Sequence, residues 1–370
     1  MIYAFVIMII AGYIINELSY KYSLKNLIIK RKISKTIVEI DEEFEITITF
    51  ENNKFYPVTF IQTVEQYPSV IYYKKGRHLR NKDNVYNRIS LFIMPYQRVK
   101  RTYKVSANKR GRYLIGDITV NVGDFLGLKE YTVQIPCSEE LVVLPRRYDL
   151  DENMAAAGDY NGDISVRRWI IEDPVLMTGI KEYTGCEPLK TIHWPSSLRY
   201  GKLMVKKFDY TTDEKVLIIM NIECCIPFWI NIDCTKIEKC ISAARSMMEY
   251  FEEEGIPYGF ASNSQISGMY NESSIISPGL GGYHLSSLLE ALGRCDYSIN
   301  MTFEDYLKKL LSINLKYSTC VVITPEVFDS YVEYMNMISE QCEKFVLIAF
   351  DDKNLNDLKD GIEIMVERGK

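Results

Sequence analysis

Histidine is scarce in this chain: His78, His193 and His284 are the whole complement, and the cysteines form no C-x-x-C pair. Zinc needs clustered thiolates or imidazoles, so both shortages argue against a structural zinc. The nine cysteines stand at 137, 186, 224, 225, 234, 240, 295, 320 and 342, an odd number dispersed among apolar neighbours. That pattern fits free thiols in a reducing compartment better than a disulfide framework. A basic surplus is lacking too, since 44 Lys+Arg face 49 Asp+Glu for a net charge of −5. Nucleic-acid binders carry the opposite imbalance, which argues against a nucleic-acid partner. No cofactor is expected.

What is present suits globular domains. The 370 residues are 47% apolar and 25% charged, enough for two or three domains with their own cores. The chain opens MIYAFVIMIIAGYIINEL, uncharged from Ile2 to Ile15, with Glu17 the next charge. As a helix, ~17 residues span roughly 25 Å, short of a ~30 Å hydrocarbon core. No basic n-region or small-x-small cleavage site points to a removed signal peptide. The flank carries Lys21, Lys25, Lys30, Arg31, Lys32 and Lys35, which by the positive-inside rule puts everything downstream in the cytoplasm. One reading is a helix packed on the protein's own surface. The other, favoured because the run is apolar all round, is a single-pass anchor at the cell membrane with the bulk of the chain cytoplasmic.

After this anchor and basic flank (1–32), residues 33–145 alternate in strand fashion, as in FEITITF (44–50), RISLFIM (88–94), RGRYLIGDITVNV (110–122) and EELVVLP (139–145). Short strands with turn signals predict a β-sandwich. Residues 146–214 read as a connector, loop-like around Gly158, Asp159, Gly162 and Asp163 and then dense in polar and aromatic residues at 180–208. From 215 to 370 strand and helix alternate. VLIIMNI (216–222) precedes a helix at about 234–254, with Ile237, Ile241, Ala244 and Met248 on one face and Gly255 as its stop. A strand at 256–261, a helix at 285–292, a strand at 319–324, a helix around 329–342 and a strand at 344–350 follow. The expected fold class is therefore multidomain, all-β then α/β, ending in a mostly parallel, Rossmann-type sheet.

Three stretches resemble the bacterial DUF58 family, cytoplasm-facing proteins whose C-terminal domain is related to von Willebrand factor A domains. RGRY followed by DFLGL (124–128) is similar to the family's RGRY…DPFGL segment, with Phe125 in place of proline. LVVLP resembles the strand that follows it. The strongest match is 182–205, similar to E-Y-x-x-G-D-x-x-R-x-I-x-W-x-x-S-A-R-x-G-x-L-x-V. Glu182, Tyr183, Ile192, Trp194, Ser197, Arg199, Gly201, Leu203 and Val205 match it, while Cys186–Glu187, Lys190 and Leu198 depart from it. The resemblance implies an A-like C-terminal domain and a setting shared with MoxR-type AAA+ ATPases, but no reaction.

An A domain holds Mg²⁺ through D-x-S-x-S after its first strand, joined by a later Thr and a later Asp. On that resemblance the corresponding positions here are Asn221, Glu223 and Cys225, then Tyr283, then Pro325. Mg²⁺ demands hard oxygen ligands, which a thiol and a proline do not supply, so the expectation is a degenerate site without metal. Cys224 and Cys225 pose a second question. A reactive thiolate needs a nearby base or helix N-terminus, and only His193 or His284 could approach in space; a small packing residue at a strand end is the alternative.

The cluster at 180–208 sets Tyr183, Trp194 and Tyr200 among Lys181, Lys190, Arg199, Lys202, Lys206 and Lys207. It reads as a structural connector, as an anchor patch for a protein partner, or as a face for anionic lipid. Glu182, Tyr183, His193, Trp194, Arg199 and Lys202 are the candidate interaction residues. The leading functional expectation is a membrane-anchored, non-enzymatic scaffold, working with a MoxR-type AAA+ ATPase in envelope-associated assembly. The alternative is an enzyme using Cys224 or Cys225, His193 and Glu223 in one cleft.

Overall fold

A computed structural model describes residues 2–73, 79–80, 84–124, 129–150, 154–156, 177–183, 192–208, 215–268, 275–313 and 317–367. His78, Phe125, Gly158, Asp159, Gly162, Asp163, Cys186, Glu187 and Lys190, singled out in the sequence, lie outside them. The chain divides into two compact units, Met1–Arg146 with Glu290–Cys295, and Arg147–Leu289 with Asp296–Lys370.

In the first unit a four-stranded sheet runs in the order Leu27–Ile33, Phe44–Asn52, Arg98–Ala107, Ile71–Tyr73. A five-stranded sheet runs Glu130–Ile135, Ile118–Gly123, Val58–Pro68, Asn84–Ile93, Leu79–Arg80. Every pairing within these two sheets is antiparallel. Period-two burial turns Ile48 and Phe50 of the first sheet onto Val58, Ile61, Val120 and Val122 of the second. Each such side chain contributes about 1.5–3 kcal/mol when fully buried. The single run expected at 110–122 is two strands, Gly111–Ile115 and Ile118–Gly123, which join different sheets. The break falls at Gly116–Asp117, where buried Arg31 takes the carbonyls of Ile115 and Gly116 at 3.0 and 2.8 Å.

The N-terminal expectation needs correction. Among the described residues no helix is long and apolar enough to cross a membrane. The Ile2–Tyr22 helix is instead tied by its polar half to the sheets of its own unit. Buried Asn16 donates to Asp124 at 2.8 Å, Glu17 pairs with Lys129 at 2.7 Å, and Tyr20 packs edge-on against Tyr131. Ser23, just past the helix, bonds the Tyr131 hydroxyl at 2.6 Å. A single-pass anchor, a membrane partner through this helix and a cell-membrane location are therefore not supported.

The second unit carries a seven-stranded sheet in the order Met154–Ala156, Glu363–Glu367, Lys344–Ala349, Thr319–Thr324, Val216–Met220, Tyr258–Ser262, Ile275–Gly279. The inner pairings are parallel and the two outermost are antiparallel. Val216–Met220 is buried throughout because it lies mid-sheet. The Cys234–Glu254 helix begins at Asp233, whose carboxylate accepts from the Thr235 and Lys236 N–H groups, and ends at Gly255 with φ 73°. Ile237, Ile241, Ala244 and Met248 form part of its buried face. The Phe303–Ser312 and Asp329–Ser339 helices add Phe303, Tyr306, Tyr331 and Met335 to the core.

The expected fold class is also corrected. Among the described residues the structure is mostly β, 41% strand against 28% helix, with several antiparallel sheets and no helix suited to a membrane. The sequence reading misjudged the balance because it passed over short antiparallel strands, Met154–Ala156 in the stretch read as a connector and Ile275–Gly279 within 215–370.

Candidate functional site

In open sheets with parallel strands, ligands gather at the carboxyl ends of those strands. Here that edge is made by Asn221 and Glu223 after Val216–Met220, Asn263 after Tyr258–Ser262, and Thr324 and Pro325 at the end of Thr319–Thr324. Buried Asn221 donates to Thr324 Oγ1 at 3.0 Å, while its side-chain oxygen accepts from Asn263 Nδ2 and from the Glu223 N–H, each at 2.9 Å. The Asn263 oxygen takes the Ile222 N–H at 3.0 Å. Glu223, 3% exposed, accepts through Oε2 from the Phe303 N–H at 2.8 Å and from the Tyr331 hydroxyl at 2.7 Å. Burial, reinforced by the Glu223 carboxylate, raises the Tyr331 pKa, so its hydroxyl stays protonated and donates.

These groups do not fit Mg²⁺. The Asn221 oxygen and Glu223 Oε2 are already engaged by N–H and O–H donors, and Pro325 offers no side-chain ligand. The Thr324 hydroxyl donates to the Glu326 carbonyl at 2.7 Å while accepting from Asn221. Tyr283 is not at this edge. Gly279 pairs with Tyr258 at the start of its strand, and Tyr283 follows four residues on, 90% exposed, at the opposite end of the sheet. Its neighbour His284 bonds the Tyr258 carbonyl at 2.8 Å. Among the described residues no group of three or more His, Cys, Asp and Glu side chains is placed to hold a metal ion.

The two thiols face backbone. Cys224 Sγ donates to the Ile222 and Asp233 carbonyls, and Cys225 Sγ lies 3.2 and 3.1 Å from the Pro227 and Asn231 carbonyls. Burial pushes the Cys224 thiol up to about 11, away from the thiolate a nucleophile requires. His193 is committed elsewhere: its Nδ1 lies 2.8 Å from Ser196 Oγ and caps the Trp194–Tyr200 helix by accepting from the Ser196 N–H. Among the described residues no hydrogen bond joins His193, Glu223, Cys224 and Cys225 into one catalytic set.

The other signature residues form a hairpin. Met177–Glu182 pairs antiparallel with Met204–Phe208, and Tyr183 donates its N–H to Leu203 at 2.9 Å. Ser197 is buried and bridges helix to strand, bonding the His193 and Met204 backbone. Glu182 and Lys202 make an exposed pair at 2.7 Å. Arg199 is exposed, and Trp194 and Leu198, one helical turn apart, are 61% and 84% exposed.

Sequence reading missed the most exposed apolar segment of the sheet edge. Directly after Cys225 the chain runs IPFWINI, and Ile226, Trp229, Ile230 and Ile232 all project into solvent, Trp229 and Ile230 at 70% and 69%. The available signal was an apolar run placed where a polar loop is normal. Beside it Lys236 pairs with Asp351 at 2.7 Å and Lys353 with Glu326 at 2.7 Å, a charged rim.

No family model matches this chain. It is 20% identical over 280 residues to the uncharacterized protein YeaD of Bacillus subtilis strain 168, covering 74% of this chain and 64% of that protein, less than two thirds of its length. Similar solved structures include a CARDB domain from Pyrococcus furiosus bound to di-metal ions, 16% identical at a TM-score of 0.21, covering 32% of this chain and 91% of that one. A non-cellulosomal cohesin from Archaeoglobus fulgidus is 11% identical at a TM-score of 0.23, over 31% of this chain and 91% of that one. These neighbours are β-sandwich domains, not the A-like domain expected from sequence, and at these TM-scores the likeness carries no argument.

Proposed function

We propose that this chain is a non-enzymatic interaction protein that docks a protein partner on the carboxyl edge of its seven-stranded sheet. The observation that carries this reading is the exposure of Ile226, Trp229, Ile230 and Ile232 within one short loop. Large apolar groups concentrated in solvent mark interaction sites, and tryptophan is prominent among the residues that dominate binding energy. The network beneath the loop gives it a firm base: Asn221 and Glu223 are satisfied from several elements at once. The lysine–carboxylate pairs beside it supply the polar rim that interfaces carry.

The resemblance to DUF58 proteins nominates a MoxR-type AAA+ ATPase as the partner. Hydrogen exchange on the full chain, with and without such an ATPase, tests the reading. Slowed exchange at 224–233 is the expected result; unchanged exchange there removes the loop from the interface. A second surface is supported by Trp194 and Leu198 on the signature helix, and in that case protection moves to 192–203.

A further inference from the structure

Two cysteines outside this edge stand in an arrangement the function above does not use. Cys320 is buried in the Thr319–Thr324 strand, and Cys342 is half-buried in the turn between the Asp329–Ser339 helix and the Lys344–Ala349 strand. Their sulfurs are 2.9 Å apart. Backbone on both sides holds them there. Glu343 and Lys344 donate their N–H groups to the Ser318 carbonyl at 2.9 and 3.0 Å, and Cys320 pairs with Phe345 in the parallel ladder.

We propose that Cys320 and Cys342 form a redox-active dithiol, a modification site oxidised by a hydroperoxide to a disulfide joining strand and turn. Cys342 is the attacking group because it is the one that solvent reaches. The hydrogen bond between the two sulfurs lowers the pKa of Cys342, whereas that contact and burial raise the pKa of Cys320. The Cys342 thiolate attacks a peroxide oxygen, the O–O bond breaks, and an alcohol or water leaves with the thiol proton, giving a sulfenic acid. Cys320 sulfur then attacks Cys342 Sγ; the S–S bond forms, the S–O bond breaks, and hydroxide leaves as water with the Cys320 proton. The two thiols together supply the two electrons that the peroxide accepts. Excess small-molecule thiol reverses the bond by exchange. The bond would tie the strand that supplies Thr324 to the turn that follows the helix supplying Tyr331 to the Glu223 network.

The test treats the full chain with hydrogen peroxide, alkylates the remaining thiols and maps the peptides by mass spectrometry. The expected product is one linked pair containing Cys320 and Cys342, two hydrogens lighter and reversed by dithiothreitol, with Cys224 and Cys225 still alkylated. In Cys320→Ser, dimedone should trap Cys342 as sulfenic acid about tenfold faster than Cys224. In Cys342→Ser, altered at a half-buried turn position, Cys320 should stay reduced. Absence of the linked pair, or oxidation of Cys320 at the wild-type rate in Cys342→Ser, overturns the proposal.

Discussion

Glu65 and Glu223 are both buried carboxylates bonded to tyrosine, one in each unit, and their partners differ. In the sandwich, Glu65 faces the Arg31 guanidinium at 3.4 Å, with both side chains fully buried, and also accepts from Asn87 at 3.2 Å and from Tyr103. In the second unit, Glu223 accepts from the neutral Phe303 N–H and Tyr331 O–H. The first arrangement neutralises charge with charge, and Arg31 also secures the carbonyls where two strands part. The second spreads a negative charge over dipoles at a sheet edge. A buried ion pair is costly to break from one side, while a carboxylate among neutral donors loses only one hydrogen bond per deletion.

That contrast can be broken by mutation. Arg31→Met leaves Glu65 buried without its counter-charge and should cost about 3–5 kcal/mol, read as the largest fall in calorimetric Tm. Tyr331→Phe removes one donor from Glu223 and should cost about 1.5–3 kcal/mol. A Tyr331→Phe loss equal to or larger than that of Arg31→Met would erase the distinction.

Acid titration adds a smaller effect. The Arg294 guanidinium, which bonds Glu140 at 2.6 Å, holds that carboxyl at about 2, below its ordinary 4.5. A depressed folded-state pKa means stability present above pH 4.5 and lost as pH falls towards about 2. Because Glu140 is a third exposed, solvent screening reduces the contribution to about 1 kcal/mol. Glu140→Gln should remove that part of the acid dependence in stability measured from pH 5 to pH 2. Smallest of all, Trp194→Ala should change stability by no more than about 0.5 kcal/mol, because the side chain is mostly in solvent.

Local elements were legible where short-range chemistry decides them. The Cys234–Glu254 helix announced itself by its apolar spacing and by Gly255, and Thr319–Thr324 by its β-branched run. The 110–122 run hid a break because the cause, Arg31 taking the Ile115 and Gly116 carbonyls, lies far away in sequence. Ile2–Ile15 was misread as an anchor for a related reason: the residues that tie its helix down, Asp124, Lys129 and Tyr131, are more than a hundred positions on. At the candidate site, Asn221 and Glu223 were found through the resemblance to A domains, but Phe303 and Tyr331 come from later helices with no motif to mark them. Tyr283 was assigned to the wrong end of the sheet because the Ile275–Gly279 strand runs antiparallel, a direction that residue types do not encode.

The claim that the sheet edge is the docking surface is tested most directly by equilibrium affinity for a MoxR-type AAA+ ATPase. Three full-length proteins are compared: the parent chain, Trp229→Ser and Trp194→Ser. Loss of a tryptophan anchor costs about 2 kcal/mol or more, so Trp229→Ser should weaken binding roughly thirtyfold while Trp194→Ser leaves it within about twofold. Unchanged affinity in Trp229→Ser, with its fold intact by circular dichroism, would contradict the account.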